Sequence, residues 1–199
     1  MRVELLLFEQ NPWWRDPETI NENAYVRRWL ISKVKWFPDA YIIKDNPGVI
    51  YIIKGPRQVG KSTGIMLKIR ELIKNKKMDP KDIVYIHCEA FESRRELEEA
   101  IRFVLKERRK VWIFIDEATH IRDWYVSIKY LKDINLLNNA ILVITGSSSL
   151  DLSKASSYLS GRRGEEKEYE LDRAVLPLSF REFIKYAYDG LNIGWINDD

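Results

Sequence analysis

The sequence contains too few cysteines and histidines for a disulfide framework or a metal centre built from them. Its 199 residues include one cysteine, Cys88, and two histidines, His87 and His120. A single thiol cannot form an internal disulfide, and the two histidines do not have the spacing of metal ligands. The composition therefore excludes an internal disulfide and a cysteine-rich metal site.

Long apolar runs are also missing. Near the N-terminus, the apolar patch from Leu5 to Phe8 lies between glutamates and is too short for the core of a signal peptide. No run approaches the roughly 20 residues that a membrane-spanning helix needs. We therefore expect a cytoplasmic protein without a membrane segment.

Neither sign of charge dominates the sequence. The 33 basic and 30 acidic residues give a net charge of +3 at neutral pH. A domain that binds nucleic acid more often carries a clear excess of positive charge, so composition gives little support for such a partner. The apolar fraction of 45% is enough for the hydrophobic core of one folded domain.

Short apolar segments alternate with helical patterns through the centre of the chain. The apolar segments predict strands at 49–53, 83–88, 111–115 and 140–144, with a fifth at EYEL, 168–171. Amphipathic spacing predicts helices at 62–75, 123–134 and 179–188, and another after a capping box formed by Ser93 and Glu96. Strands that are apolar throughout and separated by helices indicate a parallel sheet covered on both faces, so the predicted fold class is α/β. We assign residues 1–46 to a lead-in segment that packs on the core, and residues 47–199 to the core itself.

The segment GPRQVGKST lies between the first predicted strand and the first predicted helix. It matches the pattern G-x-x-x-x-G-K-[ST], in which glycines let backbone N–H groups surround phosphate oxygens. The helix that follows adds its positive N-terminal end. Lys61 is then expected to reach the β- and γ-phosphates, and Ser62 to bind Mg²⁺. The predicted nucleotide-binding residues are Gly55, Pro56, Arg57, Gln58, Val59, Gly60, Lys61, Ser62 and Thr63.

A second motif, VWIFIDE, ends the third predicted strand. A carboxylate that follows five apolar residues is costly to bury unless it meets a cation or hydrogen-bond donors. We therefore predict that Asp116 reaches Mg²⁺ through the water shell of the ion. Glu117 follows directly, where a carboxylate can polarise a water for attack on the γ-phosphate. The alternative is that Asp116 only caps the next helix.

Hydroxyl side chains follow the fourth predicted strand, in AILVITGSS. Thr145 is expected beside the γ-phosphate, where a polar side chain can hold the attacking water, and Ser147 is the rival for that role. Serine and threonine also cap turns, and the sequence leaves this simpler role open.

Taken together, these segments resemble the archaeal and bacterial AAA-type ATPases of the AAA+ superfamily. The resemblance rests on GPRQVGKST, VWIFIDEATHIRDW, ILVITGSSS and LSGRRG with LPLSFREF, in this order, and on NPWW near the N-terminus. It covers nearly the whole chain and implies ATP as the nucleotide and a P-loop sheet of strand order 5-1-4-3-2. In that family a helical lid follows the core, often with a further C-terminal domain. Because the sequence stops just past the last predicted helix, we expect both to be absent.

The resemblance also implies a role for two arginines in the polar turn LSGRRGEE. In the family an arginine at this place reaches into the neighbouring subunit's site and stabilises charge in the transition state. Arg162 is the first candidate and Arg163 the second, which implies a homo-oligomer. The alternative is that both are solvated and face Glu165 and Glu166.

Two adjacent tryptophans, Trp13 and Trp14, lie in the lead-in segment. Residues before the first strand of such folds commonly flank the adenine, so Trp13, Trp14 or Arg15 is a candidate to stack there. In an extended chain, neighbouring side chains point to opposite sides, and both cannot face one pocket. The interpretation that we favour is that they seal the edge of the core.

These motifs predict a Mg²⁺-dependent ATPase, a motor or remodelling core that acts on DNA or on a protein client. The alternative, from another class, is a regulatory switch that holds ATP or ADP and turns over very slowly. No guanine-reading N-K-x-D motif is present, which favours ATP. The predicted catalytic residues are Lys61, Glu117, Thr145 and Arg162, and the predicted metal ligands are Ser62 and Asp116.

Overall fold

A parallel β-sheet lies at the centre of the computed structural model, which describes residues 2–106, 110–165 and 167–187. Its strands lie in the order β2-β3-β4-β1-β5, which confirms the predicted α/β fold and strand order. Each neighbouring pair is parallel. The strands are β1 (Ile50–Lys54), β2 (Ile83–His87), β3 (Val111–Asp116), β4 (Ala140–Thr145) and β5 (Asp172–Ala174).

Helices cover both faces of this sheet because the first four strands are apolar on both sides. The helices are α1 (Arg2–Gln10), α2 (Ala24–Ile31), α3 (Lys61–Lys74), α4 (Arg94–Leu105), α5 (Trp124–Asp133), α6 (Ser149–Tyr158), α7 (Glu168–Leu171) and α8 (Phe180–Ala187). One core lies between the sheet and α1, α4, α5 and α6, and the other between the sheet and α2 and α3. Among the described residues, none of these helices has the length and hydropathy to cross a membrane.

The fifth strand begins later than the sequence predicts. Residues 168–171 form the short helix α7, so the prediction of a strand there is wrong, and β5 is the segment that follows it. Ile52 of β1 is opposite Asp172 of β5. Because this outer strand is made by backbone pairing with β1 rather than by an apolar pattern of its own, its position could not be read from local hydrophobicity.

Two side-chain amides of the lead-in segment close the outer edge of β2. Asn11 Nδ2 donates to the carbonyl oxygen of Tyr85 at 2.9 Å, and Asn11 Oδ1 accepts from the N–H of Tyr85 at 2.6 Å. Gln10 accepts from the N–H of His87 at 2.8 Å and donates to the carbonyl of the same residue at 3.4 Å. An outer strand with free backbone groups is a template for pairing with another chain. The two amides form hydrogen bonds with the outer backbone groups of β2, as a further strand would.

Trp13 and Trp14 complete the closed edge. The indole Nε1 of each ring donates to the carbonyl oxygen of Ile83 at 3.0 Å. The two can share one acceptor because residues 12–14 form a 3₁₀ turn and not an extended segment. Trp13 is buried in the core beside α3. The structure therefore agrees with the interpretation that the pair seals the core edge.

Replacing Asn11 with alanine should lower the free energy of unfolding by about 2–4 kcal/mol, because the buried N–H and C=O of Tyr85 both lose their partner. Urea denaturation followed by circular dichroism measures this loss. The control is Asn139→Ala, because the exposed Asn139 side chain forms no hydrogen bond with any described residue. The control should stay within about 0.5 kcal/mol of the unsubstituted protein. Equal losses in the two variants would contradict the edge-closing role of Asn11.

Candidate functional site

The glycine-rich loop between β1 and α3 turns in a way that depends on its glycines. Gly60 has a φ of 93°, in the left-handed region that glycine adopts without strain. A Cβ atom on Gly55 would lie only 2.4 Å from the carbonyl oxygen of Val175. The loop leads into the 14-residue helix α3, and no side chain at Gly60 caps the first N–H groups of that helix. These N–H groups are therefore available to an anion.

Lys61 folds back over its own loop. Its side chain is almost fully buried, and Nζ donates to the carbonyl oxygens of Gly55 at 2.9 Å and Pro56 at 2.8 Å. Both acceptors are neutral, and a charged phosphate oxygen is a stronger acceptor for an ammonium group. Lys61 is thus held against the loop by two hydrogen bonds to neutral carbonyl oxygens, and a bound phosphate can take the place of these acceptors.

Tyr41 of the lead-in segment supports the start of α3. Its hydroxyl donates to the carbonyl oxygen of Lys61 at 2.7 Å. Its ring lies so close to Gly64 that a Cβ atom there would approach the ring carbons to 2.1 Å. Glycine at position 64 therefore allows a buried aromatic ring to pack against the first turn of the helix that follows the loop.

Asp116, at the end of β3, is fully buried and has a hydroxyl donor on each carboxylate oxygen. Oδ2 accepts from the hydroxyl of Tyr85 at 3.0 Å, and Oδ1 accepts from the hydroxyl of Thr145. Burial, together with the charge of Asp116, raises the pKa of Tyr85 far above its ordinary value, so this hydroxyl keeps its proton and remains a donor. Tyr85 and Thr145 therefore supply the hydrogen-bond donors that a buried carboxylate needs.

Glu117 is in a different environment from the residue before it. Its backbone is left-handed, with φ 53° and ψ 40°, a conformation that costs a residue other than glycine about 1 kcal/mol or more. Its side chain is half-buried, and it forms no hydrogen bond or ion pair with any described residue. The strained backbone directs an unpaired carboxylate to the cavity described below.

Thr119, which sequence reasoning did not single out, joins the loops that follow β3 and β4. Its hydroxyl accepts from the backbone N–H of Ser147 at 3.2 Å. A Cβ atom on Gly146 would lie 2.5 Å from Cγ2 of Thr119. Ser147 lies on the cavity wall, whereas Thr145 is fully buried and contacts the site through Asp116.

A cavity of about 730 Å³ lies at the carboxyl edge of the sheet. This volume is within the usual range for small-molecule sites. Its wall contains both Glu117 and Ser147, and also Tyr25 and Arg28 of α2, which sequence reasoning did not identify. Six of the predicted loop residues line it, namely Arg57, Gln58, Gly60, Lys61, Ser62 and Thr63. Gly55 and Pro56 contribute only their carbonyl groups, to Lys61.

A second cavity of about 570 Å³ adjoins the first and has a more apolar wall. Trp29, Val34, Trp36 and Leu178 line it, and the loop contributes Val59. The indole of Trp29 donates to the carbonyl oxygen of Trp36 at 2.8 Å, which ties these two parts of the wall together. Four of the seven tryptophans precede the loop in the sequence, and the two that lie beside it are Trp29 and Trp36, not Trp13 and Trp14.

Oxygen ligands suit Mg²⁺, and two candidate oxygen ligands are present at this edge. Ser62 is half-buried on the cavity wall, and the carboxylate of Asp116 ends the central strand β3. Among the described residues, no group of three or more His, Cys, Asp or Glu side chains could hold a metal by itself. Two oxygen groups do not fill the coordination shell of Mg²⁺, so an ion held by them would need further ligands from water or a bound molecule.

The two arginines of the polar turn have different environments. Arg163 is 2% exposed, and its guanidinium donates to the carbonyl of Ile50 at 3.1 Å and to Asp172 at 2.9 Å. Such a buried side chain cannot reach another subunit, so the prediction is corrected for Arg163. Arg162 is partly exposed and pairs with Asp133 at 2.6 Å. Lys129 and Arg162 together hold the pKa of Asp133 below its ordinary value.

Arg162 lies at the edge of the sheet opposite the loop. The carbonyl oxygen of Arg163, the next residue, accepts from the N–H of Ile50 at the start of β1, whereas the loop follows the end of that strand. Arg162 is therefore remote from the cavity of its own subunit. The suggested partner Glu166 lies outside the described residues.

Comparison with known proteins identifies similar folds. The model of a family described as an AAA domain matches residues 48–184. The structure of the Orc1 protein of Aeropyrum pernix, determined in complex with DNA, is similar with a TM-score of 0.50 and 13% identity, over 89% of this chain and 52% of that one. A Walker-type ATPase of Pyrococcus abyssi is similar with a TM-score of 0.50 and 13% identity, over 83% of this chain and 61% of that one.

At such identities the structural matches show the fold alone, and the chain spans only about half to three-fifths of those proteins. None of the curated proteins compared with the sequence matches it significantly.

Replacing Tyr85 with phenylalanine should lower the free energy of unfolding by about 1.5–3 kcal/mol, because a buried carboxylate loses one of its two hydroxyl donors. Denaturant unfolding measures the loss. In a double-mutant cycle, the same substitution made in an Asp116→Asn background should have a clearly smaller effect. Equal effects in both backgrounds would show that the hydroxyl does not act through Asp116.

Proposed function

This chain belongs to the AAA domain family, a group of P-loop ATPases, and from that premise we propose that it binds ATP with Mg²⁺ and hydrolyses it. One observation carries the proposal. The loop lysine, the unpaired carboxylate of Glu117 and the hydroxyl-bearing Ser147 meet in one cavity at the carboxyl edge of a parallel sheet. In open α/β sheets this edge is where ligands bind.

Phosphate binding is the first part of the proposed mechanism. The N–H groups of the loop and of the start of α3 surround the phosphates, and Lys61 exchanges the carbonyls of Gly55 and Pro56 for phosphate oxygens. Ser62 and Asp116 would hold Mg²⁺, which neutralises charge on the β- and γ-phosphate oxygens when it is bound. Tyr85 and Thr145 orient the carboxylate of Asp116.

Water activation is the second part. The carboxylate of Glu117 has no partner among the described residues and lies on the cavity wall, where it can accept a hydrogen bond from a water next to the γ-phosphate. Ser147 is on the same wall, so it is better placed than Thr145 to touch that water directly. Thr145 then acts as a positioning residue for Asp116.

The second cavity is proposed as the site of the adenine base. An aromatic and apolar wall suits a flat base, and the cavity adjoins the phosphate loop. Both cavities share Arg57, Gln58, Gly60 and Thr63, so one extended ligand can occupy both, with its phosphates in the polar cavity and its base in the apolar one.

For the client we propose DNA or a protein, on the family resemblance. A DNA client should stimulate hydrolysis, with an affinity that falls steeply as salt is added, because binding releases counterions from the phosphates. Stimulation by a protein client should depend less on salt.

Replacing Glu117 with glutamine should leave ATP binding intact and reduce steady-state hydrolysis at least about 100-fold, because the group that polarises the water is lost. Calorimetry measures binding, and phosphate release measures turnover. The matched control is Glu89→Gln, which removes an exposed carboxylate from the wall of the same cavity and should retain activity close to that of the unsubstituted protein. Tight ATP binding without turnover in the unsubstituted protein would contradict the ATPase proposal and favour a slow switch.

Replacing Arg162 with alanine should reduce hydrolysis at high protein concentration at least about tenfold, if this side chain completes the site of a neighbouring subunit. The test is a mixture with Glu117→Gln. Each variant is impaired for a different reason, so mixed assemblies contain sites with both an intact Glu117 and a neighbour's Arg162, and part of the activity should return. Failure of the mixture to regain activity would contradict a role of Arg162 between subunits.

A further inference from the structure

One face of helix α2 lines the nucleotide cavities. Tyr25, Arg28 and Trp29 follow the i, i+3, i+4 spacing of a single helical face and line the apolar cavity, together with Ser32, the residue that follows the helix. Tyr25 and Arg28 also line the polar cavity that contains Lys61. Arg28 therefore lies at the junction of the two cavities. Arg27, one position earlier, lies on another face and lines neither.

The guanidinium group of Arg28 is uncommitted. Within residues 2–106, 110–165 and 167–187, it has no hydrogen bond, ion pair or ring contact. Some arginines are paired, as Arg70 is with Asn21 and Arg102 with Glu98, whereas Arg27 and Arg57 resemble Arg28 in having no side-chain partner among the described residues. An unpaired cation on the wall of a cavity that already contains the phosphate-loop lysine is available to an anionic ligand.

Helix α2 is held firmly enough to place this arginine. The side chain of Asn23 caps the helix by accepting from the N–H of Tyr25 at 3.0 Å. Val26 is fully buried in the core that α2 shares with α3. Arg70 of α3 donates to Asn21 at 2.9 Å, in the segment just before α2. The backbone of Arg28 is therefore fixed relative to the loop, and only its side chain must move to meet a ligand.

We propose that Arg28 is a phosphate-binding residue, a second cation that reaches the nucleotide from α2 and not from the loop. The inference rests on the proposed function, since it concerns the same nucleotide. At the junction of the cavities, where the base-bearing end of the ligand enters the polar cavity, Arg28 lies with the other residues common to both walls, which are Tyr25, Arg57, Gln58, Gly60 and Thr63. It therefore binds the phosphate next to the sugar, which ATP and ADP share. A planar guanidinium can donate two parallel hydrogen bonds to such a group.

The test compares Arg28→Ala with Arg27→Ala in the whole chain, using ATP, ADP and adenosine as ligands in calorimetry or competition binding. Arg28→Ala should weaken ATP and ADP by about tenfold each, because one charge-assisted contact is lost, and should leave adenosine binding unchanged. Arg28→Lys keeps the charge without the planar fork and should recover part of the affinity. Arg27→Ala should bind all three ligands as the unsubstituted protein does. Melting temperatures should be unchanged, because both side chains are exposed.

Each other outcome has a distinct meaning. Equal effects of Arg28→Ala and Arg27→Ala would overturn the inference and attribute the change to general surface charge. Weakened adenosine binding in Arg28→Ala would also overturn it and place the side chain against the base. If the unsubstituted protein binds neither ATP nor ADP while Lys61→Ala behaves the same way, the proposed function itself fails. If it binds both nucleotides and Arg28→Ala has no effect, only the role of Arg28 fails.

Discussion

All strands of the sheet run in the same direction, and the candidate site depends on that constraint. Parallel strands bring their carboxyl ends to one edge, where the loop after β1 and Ser147 after β4 line one cavity and where Asp116 ends β3. Parallel neighbours also require crossover connections, and the helices in those connections cover both faces of the sheet. The parallel arrangement therefore explains both features. The strands are apolar because the sheet is buried on both faces, and the polar and charged residues of the site lie where the strands end.

The two consecutive carboxylates at this edge lie in different environments, which is consistent with the different roles proposed for them. Asp116 is buried and receives a hydroxyl donor on each oxygen, so its position is determined before any ligand arrives. Glu117 has no such partners among the described residues, and its left-handed backbone turns it away from the strand and toward the cavity. A held carboxylate suits a metal position, because orientation decides ligation. An unpaired carboxylate suits a water, because its lone pairs are free to accept.

The lead-in segment contributes to the core in three physically different ways. Gln10 and Asn11, with the two following tryptophans, close the open edge of β2. Tyr41 packs on Gly64 and supports the start of α3. Helix α2 lines the two cavities beside the loop with aromatic and basic side chains. The edge strand that the lead-in closes also bears Tyr85, so the first residues of the chain are connected through β2 to Asp116.

The sequence by itself determined the strands of the buried sheet, the helix after the loop, the phosphate-binding loop and the paired acidic residues. Each of these features is local, because hydrophobic periodicity, a turn signal or a short motif among neighbouring residues specifies it. Tertiary structure decided which donors meet Asp116, which tryptophans lie beside the loop, that Arg163 is buried and that β5 follows a short helix. Asn11 and Tyr85, for example, are 74 residues apart. Contacts at such separations depend on how helices and sheet pack together, and no local pattern specifies that packing.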